Sequence, residues 1–215
     1  MSVILLAGAI FGLEIVFMLA KSGIIGGTRG GEDWRVFALQ RFVFSGEVWD
    51  WMRETGRWPQ EHLMRLVTYP FVHYSFTHMV FVAVFVLALG KMVGEAFSDS
   101  AVLIIFFGSS IVGAIVFAEL TNDPRGLAGG FPGAYGLIGA YTFVLWLGYR
   151  SVGANQFQAF RLIGLLLGIQ LLFGLVFDTS QDWIAEIAGF ATGFALSPLV
   201  APGGLRHMLA RLRDR

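Results

Sequence analysis

The sequence predicts an all-α membrane protein, built as a bundle of six membrane-spanning helices. Hydrophobic residues make up 56% of its 215 positions and charged residues only 14%, whereas a soluble domain carries about 25% charged residues. The mean hydropathy is +0.69. Apolar stretches of about the length that crosses a bilayer recur along the chain.

The charge pattern excludes other classes of protein. The chain has 15 basic and 15 acidic residues, and its isoelectric point of about 6.9 leaves no basic surface for a nucleic-acid partner. So much apolar surface also excludes a disordered chain. Without cysteine there is neither a disulfide framework nor thiolate chemistry, which says nothing about the compartment. We expect no cofactor.

Six apolar stretches approach the length of about 20 residues that a helix needs to cross the hydrocarbon core. They cover residues 3–20, 75–94, 101–120, 130–148, 162–177 and 183–201. The first stretch has no positively charged segment before it and contains Glu14, which argues against a cleaved signal peptide. The connections are short except for the first loop, residues 21–74.

The first loop is rich in tryptophan. Four of the six tryptophans lie there among charged residues: Trp34, Trp49, Trp51 and Trp58. Aromatic side chains of this kind settle at the membrane–water boundary. Val48, Trp51 and Met52 have helical spacing, and two interpretations follow. The loop forms a short helix that caps the bundle, or it lies partly in the outer leaflet.

Basic residues in the loops and the tail predict the orientation. They follow the fourth and sixth stretches and comprise Arg150, Arg161, Arg206, Arg211, Arg213 and Arg215. The loop before the sixth stretch has Asp178 and Asp182 and no basic residue. Both termini are therefore expected in the cytoplasm, at a bacterial-type plasma membrane, with the first loop outside. That loop carries seven Lys or Arg residues, against the rule, but charge bias is a weaker guide in long loops.

Ionisable side chains inside a span are costly and mark function. The interior candidates are Glu14, His78 and Glu186. One possible function, a small transporter or ion pathway, would use these three residues. A metal site built from His73, His78 and Glu186 lacks any usual ligand spacing, so we expect no metal site.

Small residues predict how two of the helices pack. Glu186 shares one helical face with Gly189 and Gly193, and the fourth stretch presents Gly133 and Gly136 at similar spacing. Small residues spaced in this way let helices approach closely in a membrane. We therefore expect the fourth and sixth stretches to pack through these four glycines, with the carboxyl group pointing into the bundle.

Several motifs carry a resemblance to a known family. Residues 64–73 have the sequence MRLVTYPFVH and continue as YSFTH, residues 90–95 are GKMVGE, residues 136–141 are GLIGAY, and residues 185–193 are AEIAGFATG. They resemble the segments WRLvTyaFlH, fG..lE, GLlGAy and AHlGGllaG of the rhomboid family of intramembrane serine proteases, with Met64 where Trp is usual. The resemblance covers about residues 60–195.

The resemblance implies a single rhomboid-like membrane domain over residues 1–215. Its core would span about residues 60–195, and residues 202–215 would form a basic cytoplasmic tail. It also implies a catalytic Ser in a G-x-S-G motif early in the fourth stretch. Counting back five residues from Gly136 places Phe131 at that serine position, whereas a one-residue gap would place Pro132 there. Neither residue supplies a hydroxyl group.

The other catalytic positions of the family are also changed. The resemblance places Glu186 where the family has its His base, and no His follows it until His207 in the tail. Of the family's His-x-x-x-Asn pair, which helps to hold the oxyanion, His78 is kept and Val82 replaces the Asn. A Ser hydroxyl is unreactive without a positioned base, so we assign no catalytic residue.

Three functions are consistent with these observations. The leading interpretation is a rhomboid-like pseudoprotease, a scaffold that binds transmembrane client helices or membrane lipid without cleaving. The alternative is an active rhomboid-type serine endopeptidase whose nucleophile we cannot identify. The third is the small transporter, but with one polar residue per helix there is little room for a polar pathway through the bundle.

Glu186 itself generates a further expectation. A carboxyl group buried alone is costly, so it must take up a proton or find a partner. If it faces the same cavity as His78, we expect the two side chains to be in contact, directly or through one water. The competing interpretation is a protonated Glu186 bonded to a backbone carbonyl or to Tyr135.

The orientation can be tested with reporter fusions. An alkaline phosphatase joined to the C-terminus should be inactive, because that enzyme matures only outside the cytoplasm, whereas a fusion within the first loop should be active. An active C-terminal fusion would show that the tail is exported and would overturn the predicted topology.

Overall fold

The structure, a computed structural model, describes residues 1–25, 31–121, 123–176 and 180–202. Its helices, in chain order, are α1 Ser2–Lys21, α2 Gly31–Phe42, α3 Gly46–Thr55, α4 Gln60–Leu63, α5 Arg65–Thr68, α6 Phe76–Ala96, α7 Asp99–Leu120, α8 Phe131–Ser151, α9 Arg161–Val176 and α10 Trp183–Val200. Short 3-10 helices occupy Tyr69–Phe71 and Gln156–Phe160. The predicted all-α fold class is confirmed.

Five of the predicted spans are helices long and apolar enough to cross a membrane, namely α1, α6, α7, α8 and α10. The remaining predicted span corresponds to α9, which has 16 described residues. This is shorter than the roughly 20 residues that span a bilayer upright. Residues 177–179, like the basic tail from residue 203 onward, lie outside the described residues, so the six-span count and the tail stay predictions.

Serine residues start three of the helices. The side chains of Ser45, Ser75 and Ser98 each accept a hydrogen bond from the backbone N–H three residues later, at the starts of α3, α6 and α7. Such caps satisfy a backbone donor that the first helical turn leaves unpaired. Helix α3 ends at Gly56, whose φ of +67° lies in the left-handed region that glycine adopts without strain.

Helix α8 lies at the centre of the bundle. Its residues 132–140 are all buried, and they pack against α6, α7 and α10. The main apolar cluster joins Val82 and Val86 of α6 to Phe106 of α7 and Leu137 of α8, and α1 adds Ile10. The N-terminal half of α8 is therefore held from several sides, and this is the half that carries the candidate site.

The first loop contains the capping helix that its sequence predicts, and its place in the outer leaflet stays a prediction. Helix α3 packs onto the bundle through Met52, which is 1% exposed, and the indole N–H of Trp49 donates to Glu119 at the end of α7, at 2.9 Å. By contrast, Trp51 and Trp58 are 40% and 47% exposed. Part of the loop therefore caps the helices, while its other aromatic side chains face outward.

A buried ion pair fastens α2 to α1. The guanidinium group of Arg35 donates to both carboxylate oxygens of Glu14, at 2.5 and 3.1 Å, and to the backbone oxygen of His73 at 2.9 Å. It also lies over the ring of Phe17, 5.0 Å from the ring centroid. Glu14 is 3% exposed, so its charge is balanced by this contact. Bidentate arginine–carboxylate pairs are among the strong charge-assisted hydrogen bonds.

Replacing Glu14 should therefore be strongly destabilising. Glu14→Gln leaves a guanidinium group without its anion in a largely buried place, and breaking such pairs typically costs about 3–5 kcal/mol. Glu95→Gln on α6 is the matched control, because its pair with Lys91 is long, at 3.9 Å, and exposed. Unfolding of both variants in mixed micelles measures the difference. Equal losses would show that the buried pair contributes no more than an exposed one.

Candidate functional site

Helices α8 and α10 touch through their backbones. A side chain at Gly193 would overlap the carbonyl oxygen of Gly136, and one at Gly189 would overlap that of Pro132. Three of the four glycines that the sequence assigned to helix packing therefore lie at this contact. It places the first turns of α8 and α10 side by side.

The fourth glycine faces a different helix. The atoms nearest to a side chain built at Gly133 belong to Phe106 and Ser110 of α7, at 2.6–2.7 Å. The nearest neighbours of Gly133 therefore lie on α7, and its packing against α10 stays a prediction. Helical spacing places it on a crowded face, but that face is wide enough to touch two neighbouring helices.

An aromatic stack occupies the start of α8. The ring of Phe131 lies nearly parallel to the imidazole of His78, with centroids 5.1 Å apart and planes at 15°. Tyr74 stacks with the same imidazole at 6.0 Å. Edge contacts of Phe131 with Phe85 and Tyr135 complete the cluster. Phe131, at the predicted serine position, thus places an apolar ring against the imidazole of His78.

Two glycines before α8 bring its backbone close to these rings. Gly129 has a φ of +89°, and a side chain there would lie 2.6 Å from Nε2 of His78. A side chain at Gly130 would lie 2.9 Å from Val82. Val82, at the predicted oxyanion Asn position, is fully buried and packs into the apolar core.

His73 lies edge-to-face against His78, with ring centroids 5.1 Å apart. Its Nδ1 is 3.2 Å from the backbone oxygen of Phe71, and since a carbonyl oxygen only accepts, Nδ1 carries the proton. Burial, with smaller contributions from His78 and Arg35, lowers the pKa of His73 to about 3. The ring is therefore neutral at pH 7, and its buried Nε2 finds no hydrogen-bond partner among the residues that the structure describes.

Glu186 interacts with two other helices. Nε2 of Gln170 on α9 donates to its carboxyl group, and Tyr135 on α8 interacts with the same carboxyl group. Glu186 is 5% exposed. These two partners are the way in which the fold accommodates an otherwise isolated buried carboxyl group.

The direct contact expected between Glu186 and His78 is wrong. Among the described residues, Glu186 interacts with Gln170 and Tyr135, while the buried Nε2 of His78 has no hydrogen-bond partner. Of the competing interpretation, the interaction with Tyr135 is confirmed, and the protonation of Glu186 stays a prediction. Phe131 helps to explain the result, because its ring covers the imidazole face of His78.

No metal centre is found in the described part of the chain. Among those residues, no three His, Asp or Glu side chains come together in a way that could hold a metal ion. His73 and His78 are adjacent, but Glu186 is bonded elsewhere. The two imidazoles and the aromatic rings around them form a stacked cluster instead.

Comparison with known sequences decides the family. Residues 60–203 match the sequence model of the Rhomboid domain. The chain belongs to the rhomboid family. With five helices able to span a bilayer, it is an integral membrane protein with a rhomboid-like all-α bundle.

Two curated rhomboid relatives share part of the chain. A Bacillus subtilis (strain 168) protein named "Putative rhomboid protease YdcA" is 29% identical over 140 residues, which is 62% of this chain and 65% of the relative. "Rhomboid-like protease 3" of Toxoplasma gondii is 25% identical over 135 residues, 62% of this chain and 50% of the relative. The matched part spans less than two thirds of either relative.

Sequence reasoning missed several residues of this rhomboid site. Gln170 is the one polar side chain in the middle of the fifth predicted span, and that isolation was the available signal. Gly139 packs against the backbone of Phe190, and Gly113 of α7 against that of Ala185. The role of Arg35 had no local signal, since its partner is 21 residues away.

The backbone contact between α8 and α10 gives a stability prediction. Gly193→Leu would force the two helices apart, and overpacking of this kind typically costs about 1–3 kcal/mol. Gly168→Leu on α9 is the control, because a Cβ there meets nothing within 4 Å. Thermal unfolding in detergent should separate the two variants. If they melt alike, the helices are not in tight contact.

The polar contact of Glu186 gives a prediction about coupling. In a double-mutant cycle, Glu186→Leu and Gln170→Leu should be non-additive by about 0.5–3 kcal/mol, because each removes the same hydrogen bond. The cycle of Glu186→Leu with His78→Leu should be additive within about 0.5 kcal/mol. The reverse pattern would show that Glu186 is coupled to His78 and not to Gln170.

Proposed function

We propose that this rhomboid is a pseudoprotease, which binds transmembrane helices within the membrane and does not cleave them. The observation that carries the proposal is the stack of Phe131 on His78. Phe131 occupies the position that the family resemblance assigns to the nucleophilic Ser. Its ring covers the imidazole that the family uses to stabilise the oxyanion.

The position of the base supports the same proposal. Glu186 stands where the family has His, and its carboxyl group accepts a hydrogen bond from Gln170 and interacts with Tyr135. Nucleophilic catalysis by Ser needs a base within hydrogen-bond reach of a hydroxyl group. At the predicted serine position on α8 the side chain is the phenyl ring of Phe131, which carries no hydroxyl group that a base could activate.

The backbone at the start of α8 supports it as well. Acyl transfer usually relies on backbone N–H groups near the nucleophile to hold the oxyanion. Pro132 follows Phe131 directly and has no backbone N–H. Val82, where the family has the Asn, offers only an apolar side chain.

Apolar surfaces on α6 and α9 support binding of helices. Phe81 and Val84 on α6 are more than half exposed, as is Leu165 on α9. The family resemblance places substrate entry beside these two helices. A client helix would be held there by packing of apolar side chains, with membrane lipid as its competitor.

We also propose that the protein resides in a bacterial-type plasma membrane with both termini in the cytoplasm. Arg150 at the end of α8 and Arg161 at the start of α9 flank the loop between these two helices. Basic residues in and beside a short loop favour the cytoplasmic side of the membrane. With α9 as a sixth span, the chain crosses the bilayer an even number of times, so the N-terminus before α1 and the C-terminus after α10 lie on the same side.

Purified protein should show no peptidase activity on rhomboid-type reporter substrates, and it should not react with a fluorophosphonate serine probe. Phe131→Ser alone should not restore cleavage, because Glu186 still occupies the position on α10 where the family has its His base. The combination Phe131→Ser, Glu186→His and Val82→Asn is the minimal set to try. Cleavage by the unmodified protein that is lost on mutating one residue would overturn the proposal.

Site-specific photocrosslinking tests binding directly. With a single-span reporter helix in liposomes, benzoylphenylalanine at Phe81 or Leu165 should crosslink the reporter, which should stay intact. The same probe at Ile104 on α7, which is 51% exposed, is the matched control on another face. Equal crosslinking from all three positions would indicate random collision in the bilayer and would contradict a client-binding surface.

A further inference from the structure

A cavity lies in the first loop, away from the aromatic stack of α8. It has a volume of about 310 Å³ and is lined by Arg41 and Phe42 at the end of α2 and by Gln60, Glu61 and Met64 around α4. None of these residues takes part in the candidate site. The lining combines one cation, one amide and one carboxylate with two apolar side chains.

The ion pair between Arg41 and Glu61 in this cavity is weak. The guanidinium group of Arg41 is 3.5 Å from the carboxylate of Glu61, and the side chains are 56% and 54% exposed. Pairs of this kind contribute little to stability, because water and salt screen them. Arg41 is therefore available to a ligand that offers a better acceptor.

A second guanidinium group adds positive charge beside the cavity. One N–H of Arg65 donates to the backbone oxygen of Val43 at 3.2 Å, but within the described part of the chain its buried Nε has no hydrogen-bond partner. Burial and the charge of Arg41 lower the pKa of Arg65, while Glu61 raises it. The three side chains thus carry a net charge of about +1 at pH 7, and a buried donor stays unsatisfied, which is costly.

A phosphate group would offer Arg41 a better acceptor than Glu61 does. Guanidinium groups bind phosphate through two parallel hydrogen bonds, and the side-chain amide of Gln60 supplies a further donor. Phe42 and Met64 would contact an apolar portion of the same molecule. The exposed indole of Trp58 nearby in the loop, 47% exposed, is typical of the depth at which lipid headgroups lie.

We propose that this first-loop cavity binds the phosphate group of a membrane phospholipid, with preference for an anionic headgroup. Arg41 holds the phosphate, Gln60 donates to it, and Phe42 and Met64 contact the glycerol and upper acyl chain. Glu61 competes for the same guanidinium group and repels the phosphate. This binding is independent of whether the α8 site cleaves peptides.

Titration calorimetry of the full-length protein in detergent tests the site. The probes are short-chain phosphatidylglycerol, the matching phosphatidylcholine, the matching uncharged diacylglycerol, and inorganic phosphate. Arg41→Gln should weaken binding of phosphatidylglycerol by about tenfold or more, the loss of one charge-assisted contact. Glu61→Gln should strengthen it several-fold, because the competing carboxylate is gone. Arg57→Gln in the same loop is the matched control and should leave it unchanged.

Each outcome decides the proposal. Opposite effects of the Arg41 and Glu61 variants, together with weaker binding of phosphatidylcholine and of the diacylglycerol, support it. Binding of inorganic phosphate as tight as that of the lipid would show an adventitious anion site and overturn it. Equal losses in the Arg41 and Arg57 variants would show unspecific attraction and would also overturn it, as would equal affinity for the diacylglycerol.

Discussion

The close approach of α8 and α10 is the constraint on which the rest of the site depends. Without side chains at Gly136 and Gly193, one backbone rests directly on the other, so the two helices can neither slide nor rotate without collision. Phe131 and Glu186 both lie in the first turns of these helices. Their positions are therefore fixed by backbone packing, whatever chemistry their side chains provide.

Within that frame, Tyr135 joins an aromatic region to a polar one. Its ring meets Phe131 edge-on, and it interacts with Glu186, to which Gln170 donates a hydrogen bond. Stacked rings lie on one side of Tyr135, and the polar side chains of Glu186 and Gln170 lie on the other. Gln170 gives α9 a polar contact with the centre of the bundle. Otherwise α9 adds mainly Ile163 and its apolar neighbours to the core.

The sequence predicts single helices better than the relations between them. Hydropathy placed the boundaries of α6 and α7 within a few residues, and helical spacing put Gly189 and Glu186 on a buried face. Spacing on one helix does not reveal the rotation and depth of its neighbour. For that reason the partner of Glu186 was assigned to His78 on α6, although Gln170 on α9 lies at the required depth.

The ion pair of Glu14 and Arg35 bears on the size of the independently folding unit. The family match begins at residue 60, yet α1 supplies Ile10 to the main core, and Arg35 binds the carbonyl oxygen of His73 inside the matched part. A fragment cut at the start of the match would expose part of that core to lipid and leave the carbonyl without its donor. The segment that matches the family model is thus shorter than the segment that this chain needs in order to fold.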